Sequence, residues 1–302
     1  MDLLLAALGP GLRTASPILL AALGGIFSQR AGIFNIALEG YMLLGAFVSV
    51  LVTSVTGSIP LALAAGVLAS TLLALAMGLF VIALKGDEII IGIAVNLLAV
   101  GLTAFFLQEL TSGASFLRVD LSLPNVDLAF LEPIPILGPL LAHQSILVWL
   151  SFLLIPLVSW TLFRSGLGLQ MRAVGENRDA AISAGVAPDR IRFIAFAISG
   201  AFCGLAGAEL ALGVVSLFSI NMTAGRGIIA FAAVTFGAAV PRWVVLAALL
   251  FGFADAVANR MQTLGLPVQF VLMVPYVLTI VALLTVTVPW SRLLRRDQRG
   301  SV

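Results

Sequence analysis

The sequence predicts an all-α fold, a polytopic helix bundle that uses lipid as its main solvent. Apolar residues make up 61% of the chain and charged residues only 10%, against about 25% charge in an ordinary soluble domain. Several apolar runs approach the roughly 20 residues a helix needs to cross a hydrocarbon core about 30 Å thick. These runs are continuous and lack the alternating ten-residue pattern of outer-membrane strands, so helices rather than a closed barrel satisfy the backbone in lipid. The mean hydropathy of +1.16 agrees.

Met1 to Arg13 has no basic start followed by an apolar stretch and a cleavage site. It reads as a short amphipathic surface helix and not as a removed signal peptide. The first membrane segment, Ser16 to Gln29, is short. The mixed stretch Arg30 to Gly40 after it carries Gly32 and Gly40, where a helix is free to break or re-enter. Spans follow at about Tyr41 to Val55, Ile59 to Leu84, Ile89 to Leu110, Ser145 to Phe163 and Phe193 to Gly213. Gly227 to Ala239 is too short to cross comfortably and reads as a half-helix near 225–240. A turn at Pro241 leads into Trp243 to Asn259 and a last span, Val268 to Pro289. The total is eight to nine transmembrane segments, depending on how the first is counted. All of 1–302 forms one transmembrane domain with no soluble domain to separate from it.

Charge sets the orientation. The tail SRLLRRDQRG holds four arginines against one acid directly after the last apolar run, which places the C-terminus in the cytoplasm. Parity then puts the polar island Arg164 to Arg192 on the same side. Its five arginines require this independently. Thr111 to His143 becomes an external loop, with one arginine, three acids and four prolines. The net charge of +2 is accounted for by these topological arginines and implies no nucleic-acid partner.

Polar side chains inside such a bundle cost about 2.5–3.5 kcal/mol each when ionisable, which makes them functional candidates. Asn35 and Glu39 stand at i and i+4 in GIFNIALEG, on one face of any helix formed there. Glu39 either lines or gates a path or sits solvated at the membrane edge. Asp87 and Glu88 suit the start of the following helix, while Asn96 faces the bundle interior, gluing helices or lining a pathway. Glu209 follows the small-residue run GLAGA, and Asp255 and Asn259 form a second i, i+4 pair. In SINMTAGRGIIAF, Thr223 and Arg226 precede or open the half-helix at a glycine-rich break. Such an N-terminus offers free N–H groups and a positive dipole end to polar cargo; the plainer alternative is an external loop with a snorkelling arginine.

Catalytic chemistry is excluded by what is missing. The one histidine, His143, lies in the external loop, and the one cysteine, Cys203, sits in an apolar run as a packing residue. No HExxH, no Cys/His ligand set and no GxxxxGK[ST] loop occurs, since the sole lysine, Lys85, is followed by Gly86. No catalytic residue, cofactor site or metal site is expected. If transport is active, its energy comes from an ion gradient or a partner.

The island itself is structured. ENRDAAISAG forms a short amphipathic helix that Gly185 ends, with Pro188 beyond. Asp179, Ala180, Ala181 and Gly185 match the D/E-A-A-x-x-x-G core of the coupling loop in ABC importer permeases. The surrounding LGLQMRAVGENRDAAISAGV resembles the branched-chain amino acid, ribose and nucleoside group. GIFNIALEGYMLLGAF is similar to that group's N-I-G-x-E-G-Q-M-L-L-G-A segment, with Ala37 and Tyr41 as departures. GDEIIIGIAVNLLAVGLTAF and MTAGRGIIAFAAVTFGAAVPRWVVLAALLFGFADAV resemble further blocks of the nucleoside and simple-sugar permeases.

This resemblance implies a multi-pass permease subunit of the cytoplasmic (inner) membrane, working in an ATP-driven importer. Its expected partners are a second homologous permease, a cytoplasmic ABC ATPase that uses ATP and Mg, an extracytoplasmic substrate-binding lipoprotein or periplasmic protein, and lipid. ATPase coupling falls on Glu176, Asn177, Asp179, Ala180, Ala181 and Gly185 of the cytoplasmic loop 164–192. Asn35, Glu39, Asn96, Thr223 and Arg226 are the candidates for the translocation path. Nucleosides are the implied cargo, with ribose-like sugars and branched-chain amino acids as alternatives and an ion-coupled secondary carrier as a more distant one.

Overall fold

A computed structural model describes residues 2–127 and 141–262. The last predicted span, Val268 to Pro289, the basic tail after it, and 128–140 of the loop expected to be external lie outside the described residues. The bundle is mostly helical: α1 (Asp2–Arg30), α2 (Leu38–Thr56), α3 (Ile59–Gly78), α4 (Glu88–Leu110), α5 (Ile146–Arg164), α6 (Gly166–Glu176), α7 (Arg178–Ser183), α8 (Pro188–Ala208), α9 (Arg226–Phe236) and α10 (Pro241–Gln262). Two of these run on into π-helical turns, α3 through Leu79–Ala83 and α8 through Glu209–Val215. Among the described residues, seven helices are long and apolar enough to cross a membrane, and α9 is a shorter apolar helix. Helices thus stand at eight of the predicted segments, the first of them beginning well ahead of Ser16, and the ninth predicted segment lies beyond residue 262.

The element boundaries follow from local chemistry. Asp87 opens α4 by accepting the N–H groups of Ile89 and Ile90 at 2.9 and 3.0 Å, an N-cap worth about 1 kcal/mol. Ser145 caps α5 through Val148 N–H, and Ser165 caps α6 through Gly168 N–H. Gly57 closes α2 at φ +63°, where its N–H returns to the Thr53 carbonyl.

One element departs from expectation. Residues 2–30 form a single helix, so Met1 to Arg13 is not a separate surface helix. The reason is tertiary: Leu12, Ala15 and Ser16 are buried, with Gly11 packed on Phe253 and Gly252 on Ala15. Arg13 donates to the His143 carbonyl and to Gln144 Oε1. The end of that segment, from Gly11 to Arg13, is therefore packed against α10 and the chain ahead of α5. The loop expected to be external also gains structure. Phe116–Arg118 (β1) pairs antiparallel with Leu217–Ser219 (β4), and Asn125–Asp127 (β2) with His143–Ser145 (β3).

Helices α1, α2 and α8 are the most buried, whereas α4 and α5 turn most of their apolar surface outward. Outward leucines and phenylalanines such as Leu97, Phe105 and Leu153 are what lipid-facing helices require. Close helix approach in the interior depends on small residues. A Cβ on Gly45 would lie 2.8 Å from Gly204 Cα, joining α2 to α8, and one on Gly200 would lie 2.8 Å from Thr71 Cα, joining α8 to α3. Cys203 is fully buried between them.

Candidate functional site

Between α1 and α2 the chain leaves helical geometry over residues 31–37, a break that Gly32 permits while Gly40 lies inside α2. Gly32 takes φ +72°, which only glycine adopts without strain. The broken segment then descends into the bundle. Asn35 donates to Ser199 Oγ at 3.1 Å, roughly 16 Å along α8 from Pro188 at 1.5 Å per residue. Its own oxygen accepts Ala37 N–H. Asn96 fastens the far end, accepting Gly40 N–H at 2.8 Å and donating to the Ile36 carbonyl at 3.1 Å. Both asparagines satisfy backbone groups that the missing helix turn has exposed.

Glu39 is buried at 7% exposure in the first turn of α2. Its carboxylate crosses to α9, where Oε1 accepts Gly225 N–H at 2.8 Å and Oε2 accepts Gly227 N–H at 2.6 Å. The half-helix N-terminus that the sequence offers to an anionic group is therefore held by the protein's own carboxylate, which matches both the free amides and the positive dipole end. The turn leading into α9 is strained to reach this position. Asn221, Ala224 and Gly225 stand at φ of +57, +47 and +85°, and an alanine there costs about 1–2 kcal/mol. Such strain clusters at functional sites.

Arg226 does not snorkel into an external loop. Nη2 and Nε donate to Asp255 Oδ2 at 2.8 and 3.1 Å, and both side chains are mostly buried. Thr223 is wholly buried beside it, and its hydroxyl has no hydrogen-bond partner among the described residues. Four of the five candidate path residues thus brace the broken segment or the half-helix, whereas the Thr223 hydroxyl has no partner among the described residues. Glu209 stands apart, taking both its contacts from the Ser145 hydroxyl.

The loop 164–192 forms the expected short helix. Asn177 caps α7 by accepting Ala180 N–H at 3.0 Å. Asp179 lies in the first turn, Ala181 packs inward, and Gly185 at φ +80° ends the helix after Ala184. Glu176 closes α6, and Ala180 faces outward. Sequence reasoning missed the groups that join this loop to the broken segment. Glu88 suits a helix start in sequence, yet it pairs with Arg192 and accepts Phe34 N–H at 2.6 Å. Arg30 donates to the carbonyls of Ala239 and Ala238 at 2.8 and 3.2 Å, in the turn that ends α9. Among the described residues no three His, Cys, Asp or Glu side chains gather to hold a metal.

The branched-chain amino acid transport system / permease component family matches residues 8–283. The chain belongs to that permease family. The permease is 37% identical over 258 residues to the glucose ABC transporter permease protein TsgC13 of Haloferax volcanii, whose name carries that assignment provisionally; the match covers 84% of this chain and 77% of that one. It is 36% identical over 284 residues to the guanosine ABC transporter permease protein NupQ of Bacillus subtilis, covering 89% and 88% of the two chains. With the nucleoside ABC transporter permease protein NupC of Lactococcus lactis it shares 34% identity over 281 residues, again covering 89% and 88%. No solved structure matches the permease. It is a multi-pass membrane protein and a transport subunit, as its helices and its family require.

Proposed function

We propose that this permease carries nucleosides through the cytoplasmic membrane as the spanning subunit of an ATP-driven importer. The observation that supports this best is the similarity to the guanosine permease NupQ and the nucleoside permease NupC across 89% of the chain. Ribose-like or hexose sugars form the second reading, favoured by the similarity to TsgC13.

In this reading the arginine-rich end of the bundle faces the cytoplasm, following the positive-inside rule. There Glu176, Asn177, Asp179, Ala180, Ala181 and Gly185 meet a cytoplasmic ABC ATPase, which binds and hydrolyses ATP with Mg. A second, homologous permease completes the path, and an extracytoplasmic binding protein delivers cargo to the strand-bearing end. Asn35, Glu39, Asn96, Thr223 and Arg226 frame the route near the start of α9. A neutral, hydroxyl-rich solute needs donors and acceptors there rather than a fixed counter-charge. Supporting this, the Thr223 hydroxyl is unengaged among the described residues, while Glu39 and Arg226 are matched by protein groups.

Purification tests the reading. An importer subunit co-purifies with an ATPase and moves guanosine only when ATP is present inside the compartment bearing that ATPase. Gradient-driven uptake by the isolated chain would instead identify a secondary carrier.

A further inference from the structure

Residues 30–39 run antiparallel to α9 and touch it at three levels. Arg30 holds the Ala238 and Ala239 carbonyls in the turn just past its C-terminal end. Phe34 packs edge-on against Phe231 at 4.7 Å between ring centroids. Glu39 holds the Gly225 and Gly227 amides at the N-terminal end. The amides that open the half-helix and the carbonyls of the turn just past its end are therefore held by one short segment, an anion at the start and a cation near the end as the dipole favours.

The same segment is gripped from both flanks of the loop 164–192. On the α6 side the contact is backbone on backbone: a Cβ on Gly32 would lie 3.1 Å from Gly175 Cα, and one on Gly175 would lie 3.0 Å from Gly32 N and closer still to the Arg30 carbonyl. Phe163 adds to this grip, with the guanidinium groups of Arg30 and Arg172 at 5.8 and 5.3 Å from its ring centre. On the α8 side, Arg192 pairs with Glu88, whose other oxygen holds Phe34 N–H. Close-packed backbone has no rotamers with which to absorb a shift, so displacement of α6 or α8 must pass into residues 30–39.

We propose that residues 30–39 are a strap that transmits movement of the coupling loop to the half-helix α9, with Arg30 and Glu39 as the positioning residues at its ends. The proposal rests on the reading above that 176–185 meets the ATPase. Coupling then reaches the cargo path through one strap that carries α9 with it, and not through a uniform rotation of the whole bundle.

The test uses the assembled complex in proteoliposomes with tritiated guanosine as probe. Gly175→Ala places a methyl against the Arg30–Gly32 backbone without touching the ATPase-facing residues. The variant is expected to assemble and hydrolyse ATP, while guanosine carried per ATP falls about tenfold, a typical coupling loss. An unchanged ratio overturns the strap. A second variant keeps the question open to refutation should the first not assemble. Phe34→Cys with Phe231→Cys, in a Cys203→Ala background, is joined by a short reductant-cleavable thiosulfonate linker. A strap that carries α9 with it leaves uptake unchanged on cross-linking; uptake that stops, and returns with reductant, shows that the two move separately. Failure of the wild-type chain to recover any ATPase sinks the importer reading itself, whereas ATPase recovery with an unaltered ratio in Gly175→Ala sinks only the strap.

Discussion

The carboxylate of Glu39 accepts the backbone N–H of Gly227 at 2.6 Å, a contact between residues 188 positions apart. It turns an otherwise costly buried charge into the cap of a helix that begins inside the bundle. Hydrogen bonds to a charged acceptor contribute about 1.5–3 kcal/mol each.

Glu39→Gln removes the charge and leaves one amide oxygen to serve two N–H groups. Uptake is expected to fall by roughly one to two orders of magnitude, the loss of one such bond, while the amount of complex recovered by size-exclusion chromatography changes far less. Parallel losses of yield and uptake would reduce Glu39 to an assembly residue.

Arg226 and Asp255 form a mostly buried pair at 2.8 Å. Asp255→Ala strands the guanidinium and is expected to destabilise the solubilised complex by about 3–5 kcal/mol. Replacing both, Arg226→Met with Asp255→Leu, recovers most of that loss. Thermal unfolding of the wild type, Arg226→Met, Asp255→Leu and the double variant in a double-mutant cycle measures the coupling, and additive effects would contradict a direct pair.

Gly185 stands at φ +80°, and a Cβ there meets nothing within 4 Å. Its replacement is therefore limited by backbone strain and not by a clash. Gly185→Val costs about 1–2 kcal/mol locally and is expected to cut ATPase co-purification while membrane insertion persists. Gly185→Asn, which tolerates the left-handed region, retains much more of the association. Equal behaviour of the two would remove the helix ending from the docking argument.

Asn96→Leu leaves Gly40 N–H and the Ile36 carbonyl without their side-chain partner. Each unsatisfied buried group costs about 1–3 kcal/mol. The melting temperature of the solubilised complex is expected to drop, with Asn96→Asp intermediate because it keeps the acceptor and loses the donor. A Leu variant as stable as the wild type would show that water replaces the bridge.

Much of this was legible from local chemistry. Apolar run length located the spans, Gly225–Arg226–Gly227 marked the half-helix, and Gly185 with Pro188 marked the end of α7. What stayed hidden were partnerships set by packing. Glu88 looks like helix-start chemistry because its partners, Phe34 and Arg192, are 54 and 104 residues away. Arg30 looks like a topological arginine until the α9 turn is brought to it. Gly11 and Leu12 read as part of a surface helix because nothing nearby in sequence announces that α10 packs on this stretch. Three-residue strands such as Phe116–Arg118 are too short for a period-two pattern to register.

The most direct measurement is uptake of radiolabelled guanosine by the assembled complex in proteoliposomes, with ATP supplied to the ATPase side and unlabelled nucleosides or sugars added as competitors. A nucleoside importer takes up guanosine only with ATP and is competed by other nucleosides but not by glucose or ribose. Uptake that proceeds without ATP, or that only sugars compete, would contradict it.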